Sequence, residues 1–212
     1  ALVLLDRRGR LLRPAIQQSD ARCGAEVEEL KAEIDESTFV QRTGNGINQQ
    51  LIAARTRWLA RHEPETFAQV HTAFGSYDYI NWRLTGERAV EQNWALEAGF
   101  VDLAEDQITD DLVALSRLPR STVPRRVRSS DLLGTISAEA AAATGLAIGT
   151  PVIGGAADHI ASAYAAGIRK PGDVLLKFGG SADILIATTQ ARPDPRLFLD
   201  HHLIPGLWMP NG

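Results

Sequence analysis

The sequence predicts an α/β fold, and three observations carry that expectation. Helical periodicity dominates the first half of the chain. After Gly149, short apolar strands alternate with a helix, and no fixed-period repeat runs through the sequence.

The elements follow in order. Residues 2–5 and 11–16 are apolar runs flanking Asp6-Arg7-Arg8-Gly9, a hairpin signal with glycine in the turn. Asp20 is placed to cap a helix reaching about residue 34, with Cys23, Val27, Leu30 and Ile34 on one stripe. A longer helix is expected over residues 47–62, with Leu51, Ala54, Trp58 and Leu59 inward, and Pro64 restarts the chain as a first-turn proline. Ser76 opens a helix carrying Tyr77, Ile80 and Leu84 on one face, and Gly86 ends it. Thr109 caps a helix over 110–118 that Pro119 stops. Ser137 caps an alanine run that Gly145 ends.

Composition narrows the function classes. With 44% hydrophobic and 23% charged residues, the 212-residue chain has the make-up of a folded domain and can bury a sizeable core. Its net charge of -4 offers no excess of positive charge for a nucleic-acid backbone. The basic run 117–128 is broken by Pro119 and Pro124, lacks aromatics, and reads as a solvated connector. One cysteine excludes an internal disulfide, and no signal-like or long apolar segment is present, which points to a cytoplasmic setting with no membrane partner. Cys23 lies on an apolar stripe and reads as core. The histidines have no Cys or His partner at zinc spacing, so no metal set is expected from them.

The segment 151–189 is the richest in chemistry. A short apolar strand leads to Gly154-Gly155 and a lone acid, Asp158, at the start of a small-residue helix over 160–167. Two β-rich runs follow, 174–178 and 184–188, joined by Gly179-Gly180-Ser181. A carboxylate can take the proton of an attacking hydroxyl. A glycine-rich turn lets backbone N–H groups approach phosphate oxygens. Each half has a plainer reading: Asp158 as a helix N-cap, and the glycines as an ordinary hairpin turn. Their order and spacing favour phosphoryl transfer.

These residues resemble the FGGY carbohydrate kinases, a family that includes xylulose, ribulose, gluconate and glycerol kinases. The resemblance rests on Gly154, Gly155 and Asp158, on Lys170-Pro171-Gly172, and on Gly179-Gly180-Ser181. Upstream, Ala15 to Arg22 is similar to the family's W-x-D-x-R segment, and Thr43-Gly44-Asn45 through Trp58-Leu59 to its next helix. Asp78-Tyr79-Ile80 through Leu84-Thr85-Gly86 is similar to its D-Y-L…L-T-G. The chain departs from the pattern at Gln18, where tryptophan is usual, and in the hairpin, where Gly179-Gly180-Ser181-Ala182-Asp183 lacks the common threonine. The acidic-Ser/Thr-Asn-Ala segment survives only loosely, as Glu91-Gln92-Asn93-Trp94-Ala95.

The resemblance implies an actin-like ATPase (ribonuclease-H-like) fold, with most of a first domain and the start of a second. Residues 1–157 would form the sugar-binding domain with its helical insertion, and residues 158–212 the opening of the nucleotide-binding domain. It implies ATP-dependent phosphorylation of a small sugar or polyol, with Asp158 as general base and Mg²⁺ on the phosphates. Gly179, Gly180 and Ser181 would hold ATP, and His159 and Gln50 would contact the sugar. Asp20 and Arg22 stand as further sugar-side residues or as a structural ion pair. The family's opening Asp-x-Gly-Thr turn and its adenine-binding region have no counterpart here, so the sequence reads as an internal piece, inactive alone. A homodimer is the default for such an enzyme. A non-catalytic sugar- or nucleotide-binding protein and an actin-like assembly protein are the competing classes.

Overall fold

The computed structural model describes residues 1–179 and 182–212. Strand Val3–Leu5 lies at the centre of the first half, antiparallel to Thr72–Phe74 with Val3 opposite Phe74. Its other side is met by the returning chain through bridges at Leu2–Ile16 and Leu5–Leu11. The expected hairpin is therefore present, but its second arm makes bridges rather than a strand. Asp6 shapes the turn: its Oδ1 accepts the Arg8 and Arg10 N–H groups at 2.8 and 2.9 Å, and Gly9 supplies a φ of +77°.

Around this strand, Leu2, Leu4, Leu5, Phe74, Leu96 and Phe100 form a fully buried core. Truncating one such leucine to alanine costs about 2–5 kcal/mol. A second cluster, with Cys23, Val27, Leu30, Phe39 and Leu51, packs beneath helix Gly24–Glu33. A third joins Ile160 and Ala163 of helix Asp158–Ala165 to Leu185, Ala187 and Met209. The sheet beneath that helix is antiparallel. Its order across is Phe198–His201, Trp208–Asn211, Ala182–Ile186 and Val174–Phe178. The molecule is mixed α/β, and no helix among the described residues is long and apolar enough to cross a membrane.

Several expected boundaries shift for identifiable reasons. Asp20 does not cap the first helix, which starts at Gly24 with Cys23 at the N-cap. The Asp20 carboxylate is instead held by the Arg22 side chain. A separate helix, Glu36–Thr43, has no counterpart among the expected elements. Asp35 caps it by accepting the Thr38 N–H at 2.7 Å, and Gly44 closes it in a left-handed conformation. The helix expected from residue 47 begins at Ile52, because the Asn48 side chain draws the Gln50 N–H into a turn. Pro64 opens helix Pro64–Ala68 as expected.

In helix Ser76–Thr85, Ile80 is exposed and Asp78 is the buried residue. The Asp78 carboxylate accepts the N–H groups of Gly75 at 3.0 Å and Glu91 at 2.8 Å, so polar satisfaction overrides the apolar stripe. Helix Asp110–Ala114 ends four residues early, with Ser116 Oγ donating to the Val113 carbonyl. Ser137 and Gly145 bound helix Ala138–Thr144 as expected. The basic connector contains strand Arg125–Val127, parallel to Ala89–Glu91, and Arg126 pairs with Asp106.

Two buried asparagines tie the C-terminal sheet to the first half. The Asn45 amide exchanges two hydrogen bonds of 3.1 Å with the Leu199 backbone. Asn93 donates to the His201 carbonyl at 3.0 Å and accepts the His201 N–H at 2.6 Å. Asp200 lies between these two anchored residues.

Candidate active site

The Gly154-Gly155 turn delivers the chain into helix Asp158–Ala165. A Cβ at residue 154 would overlap the Arg128 carbonyl oxygen, and Gly155 has a φ of +79°. The Gly154 carbonyl accepts the Asn81 side-chain N–H at 2.7 Å, which fixes the turn against the helix bearing Asp78.

Asp158 is the first residue of its helix, and Ala157 occupies the N-cap without a side-chain bond. The carboxylate of Asp158 is thus not spent on capping. It is fully exposed, and its charged neighbour is His159, whose Nδ1 lies 3.7 Å from Asp158 Oδ1.

The other ring nitrogen of His159, Nε2, lies 3.0 Å from Oδ2 of the buried Asp200. Burial opposes a charge on this imidazole. The hydrogen bond to Asp200, with the charges of Asp200, Glu97 and Asp158, outweighs it and raises the His159 pKa to about 9. Glu97 ends helix Gln92–Glu97 beside them, and burial together with the Asp200 charge lifts its carboxyl to about 8.

Two adjoining cavities of about 280 and 340 Å³ open at this point, and Gln18, Gln50, Glu97, Asp158 and His159 line both. Gln18 Nε2 donates to Gln50 Oε1 at 3.1 Å, and the buried Arg55 guanidinium holds the Gln18 and Gln49 carbonyls. On the hairpin side, Lys177 Nζ meets Asp183 Oδ2 at 2.8 Å, opposite one another across the strands.

Of the residues singled out in the sequence, the structure brings Asp158, His159 and Gln50 into one cleft. Asp20 and Arg22 line neither cavity. They form an ion pair of 2.7 Å in the turn before helix Gly24–Glu33, with the guanidinium 4.8 Å from the Trp58 ring centre. Gly179 follows strand Val174–Phe178, and Gly180 and Ser181 lie outside the described residues. Glu97, Asp200, Lys177 and Asp183 escaped the sequence reading. Glu97 sits just beyond the segment that matched loosely, and Asp200 adjoins two histidines in an otherwise apolar run. Neither signal marks a site until the fold brings them together.

Comparison with known proteins identifies the chain's relatives. Residues 1–165 match the N-terminal domain of the FGGY family of carbohydrate kinases. The chain is 31% identical over 208 residues to the xylulose kinase of Escherichia coli K12, covering 97% of this chain and 42% of that protein. The crystal structure of xylulose kinase from Rhodospirillum rubrum superposes with a TM-score of 0.98 at 61% identity, over 100% of this chain and 43% of that one. Plasmodium falciparum glycerol kinase with ADP shares the fold at a TM-score of 0.86 and 17% identity, over 100% of this chain and 44% of that one. The chain spans under half the length of these relatives. The family match and the shared fold converge: the chain belongs to the FGGY family of carbohydrate kinases.

Proposed function

We propose that the full-length protein transfers the γ-phosphoryl group of ATP to a hydroxyl of a small sugar or polyol, with Asp158 as the general base. The observation that carries this reading is the state of the Asp158 carboxylate. It stands at a helix start, uncommitted to capping and open to solvent, at the edge of a cleft whose walls offer hydrogen-bonding amides and an imidazole. A sugar hydroxyl is a weak nucleophile and must be oriented in line while its proton is removed. Gln50, held by Gln18, and His159, held by Asp200, orient the acceptor. Asp158 takes the proton as the new P–O bond forms and the bond to the ADP oxygen breaks.

Lys177, Asp183 and Leu185 of strands Val174–Phe178 and Ala182–Ile186 line one of the two cavities. The segment Gly179-Gly180-Ser181, which connects these strands in the sequence, is assigned the ATP phosphates, to which backbone N–H groups and the Ser181 hydroxyl would donate. Mg²⁺ bound with the nucleotide would neutralise phosphate charge. The reading places residues 1–157 in a sugar-binding domain and 158–212 at the start of a nucleotide-binding domain of an actin-like pair. It is supported by the separate core formed around Ile160, Leu185 and Met209. Closure of such a pair would exclude water from the transfer.

The test is ADP release by the full-length protein, screened against pentuloses, tetritols, glycerol and sugar acids. Acceptor-dependent turnover with one of these is expected. Sugar or nucleotide binding without turnover would replace the kinase reading with that of a binding protein.

A further inference from the structure

Glu97, His159 and Asp200 come from three separate elements: the end of helix Gln92–Glu97, the start of helix Asp158–Ala165, and strand Phe198–His201. One donor atom from each lies within 4.8 Å of the other two. We propose that these three side chains form a mononuclear site for a divalent transition-metal ion such as Zn²⁺, separate from the Mg²⁺ that accompanies the nucleotide.

Three features of the cluster point to a cation. Asp200 is completely buried, yet its Oδ1 has no hydrogen-bond partner among the described residues, and leaving a buried carboxylate oxygen unsatisfied is costly. The Glu97 carboxylate likewise receives no hydrogen bond among the described residues, although it lines both cavities. The spacing is near that of a coordination sphere. Two ligands about 2.1 Å from a tetrahedral ion lie about 3.4 Å apart. His159 Nε2 and Asp200 Oδ2 are 3.0 Å apart, the separation at which they now share a hydrogen bond, so a small outward shift of the pair would admit an ion. The remaining adjustment falls to Glu97, which is half-buried.

The donor set selects the metal. One imidazole and two carboxylates suit Zn²⁺, Mn²⁺, Fe²⁺ or Co²⁺, whereas Mg²⁺ prefers oxygen ligands and retains its waters. Asn211 Nδ2 donates to Asp200 Oδ2 at 2.8 Å and Asn93 fixes the His201 backbone beside it, so an outer shell already orients the carboxylate. All three ligands line the 280 Å³ cavity, so the ion's open positions face the cleft, where adjacent hydroxyls of an acceptor can complete its shell. No spacing motif announces such a site, because the ligands are distant along the chain.

The experiment uses the full-length protein, stripped with chelator and dialysed against Zn²⁺ without nucleotide or sugar. Retained metal is measured by elemental analysis, and Co²⁺ substitution reports the ligand field by visible absorption. About one equivalent of Zn²⁺ is expected in the wild type. Asp200→Asn and Glu97→Gln should weaken binding by more than the roughly 10–100-fold that losing an outer-shell partner costs. If Asp200→Asn does not fold, Glu97→Gln carries the test, since that side chain is only half-buried. No retained metal in the wild type, or equal retention by a folded Glu97→Gln, overturns the proposal. Because neither substrate is present, failure here leaves the kinase reading untouched.

Discussion

Asp78 and Asp158 both stand in the first turn of a helix, where a carboxylate is favoured by the exposed N–H groups and the helix dipole. Their surroundings differ completely. Asp78 is buried and spends both oxygens on backbone N–H groups, one of them at Gly75 and the other on the neighbouring strand at Glu91. Asp158 makes no capping bond and lines a cavity. A local sequence pattern locates acids at helix starts but does not separate these uses. What separates them is whether the oxygens are already committed.

The strongest way to break this contrast is Asp158→Asn in the full-length protein. We expect normal folding and retained binding of acceptor and ATP, with kcat reduced roughly 10²–10⁴-fold, the scale of acid–base assistance. KM should change far less, as for an interaction made in the transition state. Retention of more than about half of wild-type kcat would return Asp158 to a structural role.

Titration sharpens the other side. Burial raises the pKa of Asp78 to about 7 and that of Glu91 to about 7, from ordinary values of 3.8 and 4.5. Glu91 is held by Ser129, by the Asn93 N–H and by Tyr77, so the pair is enclosed. Between these two sets of values the folded state binds more protons than the unfolded state. The contribution of this pair to stability is therefore fully present near pH 4 and is lost as pH rises through 7. Each tenfold difference in proton affinity between the two states is worth about 1.4 kcal/mol, so each of the two carboxyls contributes on the order of a few kcal/mol to the fall. Denaturant titrations across this range should show it, and Asp78→Asn should flatten the curve. A wild-type stability independent of pH over the window would mean that both carboxylates ionise without penalty.

Asp78→Ala should cost about 2 kcal/mol, combining a lost cap with unsatisfied buried N–H groups, while kcat of the folded fraction stays near wild type. A large kcat loss at constant stability would erase the distinction between the two acids. The smallest effect is expected at the cleft wall. Gln50→Ala should raise KM for the acceptor several-fold with kcat little altered, as for binding that is equal in ground and transition states. An unchanged acceptor KM would remove Gln50 from the site.

Much of the first half was legible because its punctuation is chemical. Glycines and prolines that end or start helices, such as Gly86, Gly145 and Pro64, act through their own backbone geometry and need no distant partner. Asp20 misled because its side chain had a nearer partner in Arg22 than the helix N-terminus. Ile80 misled because a stripe of apolar residues says nothing about a buried carboxylate on the neighbouring turn. In the cleft, Asp158, His159 and Gln50 could be singled out through motif order, whereas Glu97 and Asp200 acquire meaning only through long-range packing. Gln18 was visible as a departure from the family pattern, and it proves to be the residue that holds Gln50.

The paired asparagines carry a consequence for the sheet as an object in solution. Strand Phe198–His201 is an outer strand, paired on one side to Trp208–Asn211. Its outward N–H and C=O groups at Leu199 and His201 are occupied by the amides of Asn45 and Asn93, which imitate a further strand. An edge finished in this way has nothing left to offer the backbone of another molecule, so it is shielded from edge-to-edge association. The same bonds lock register: a slip of one residue would break all four and carry Asp200 to the opposite face.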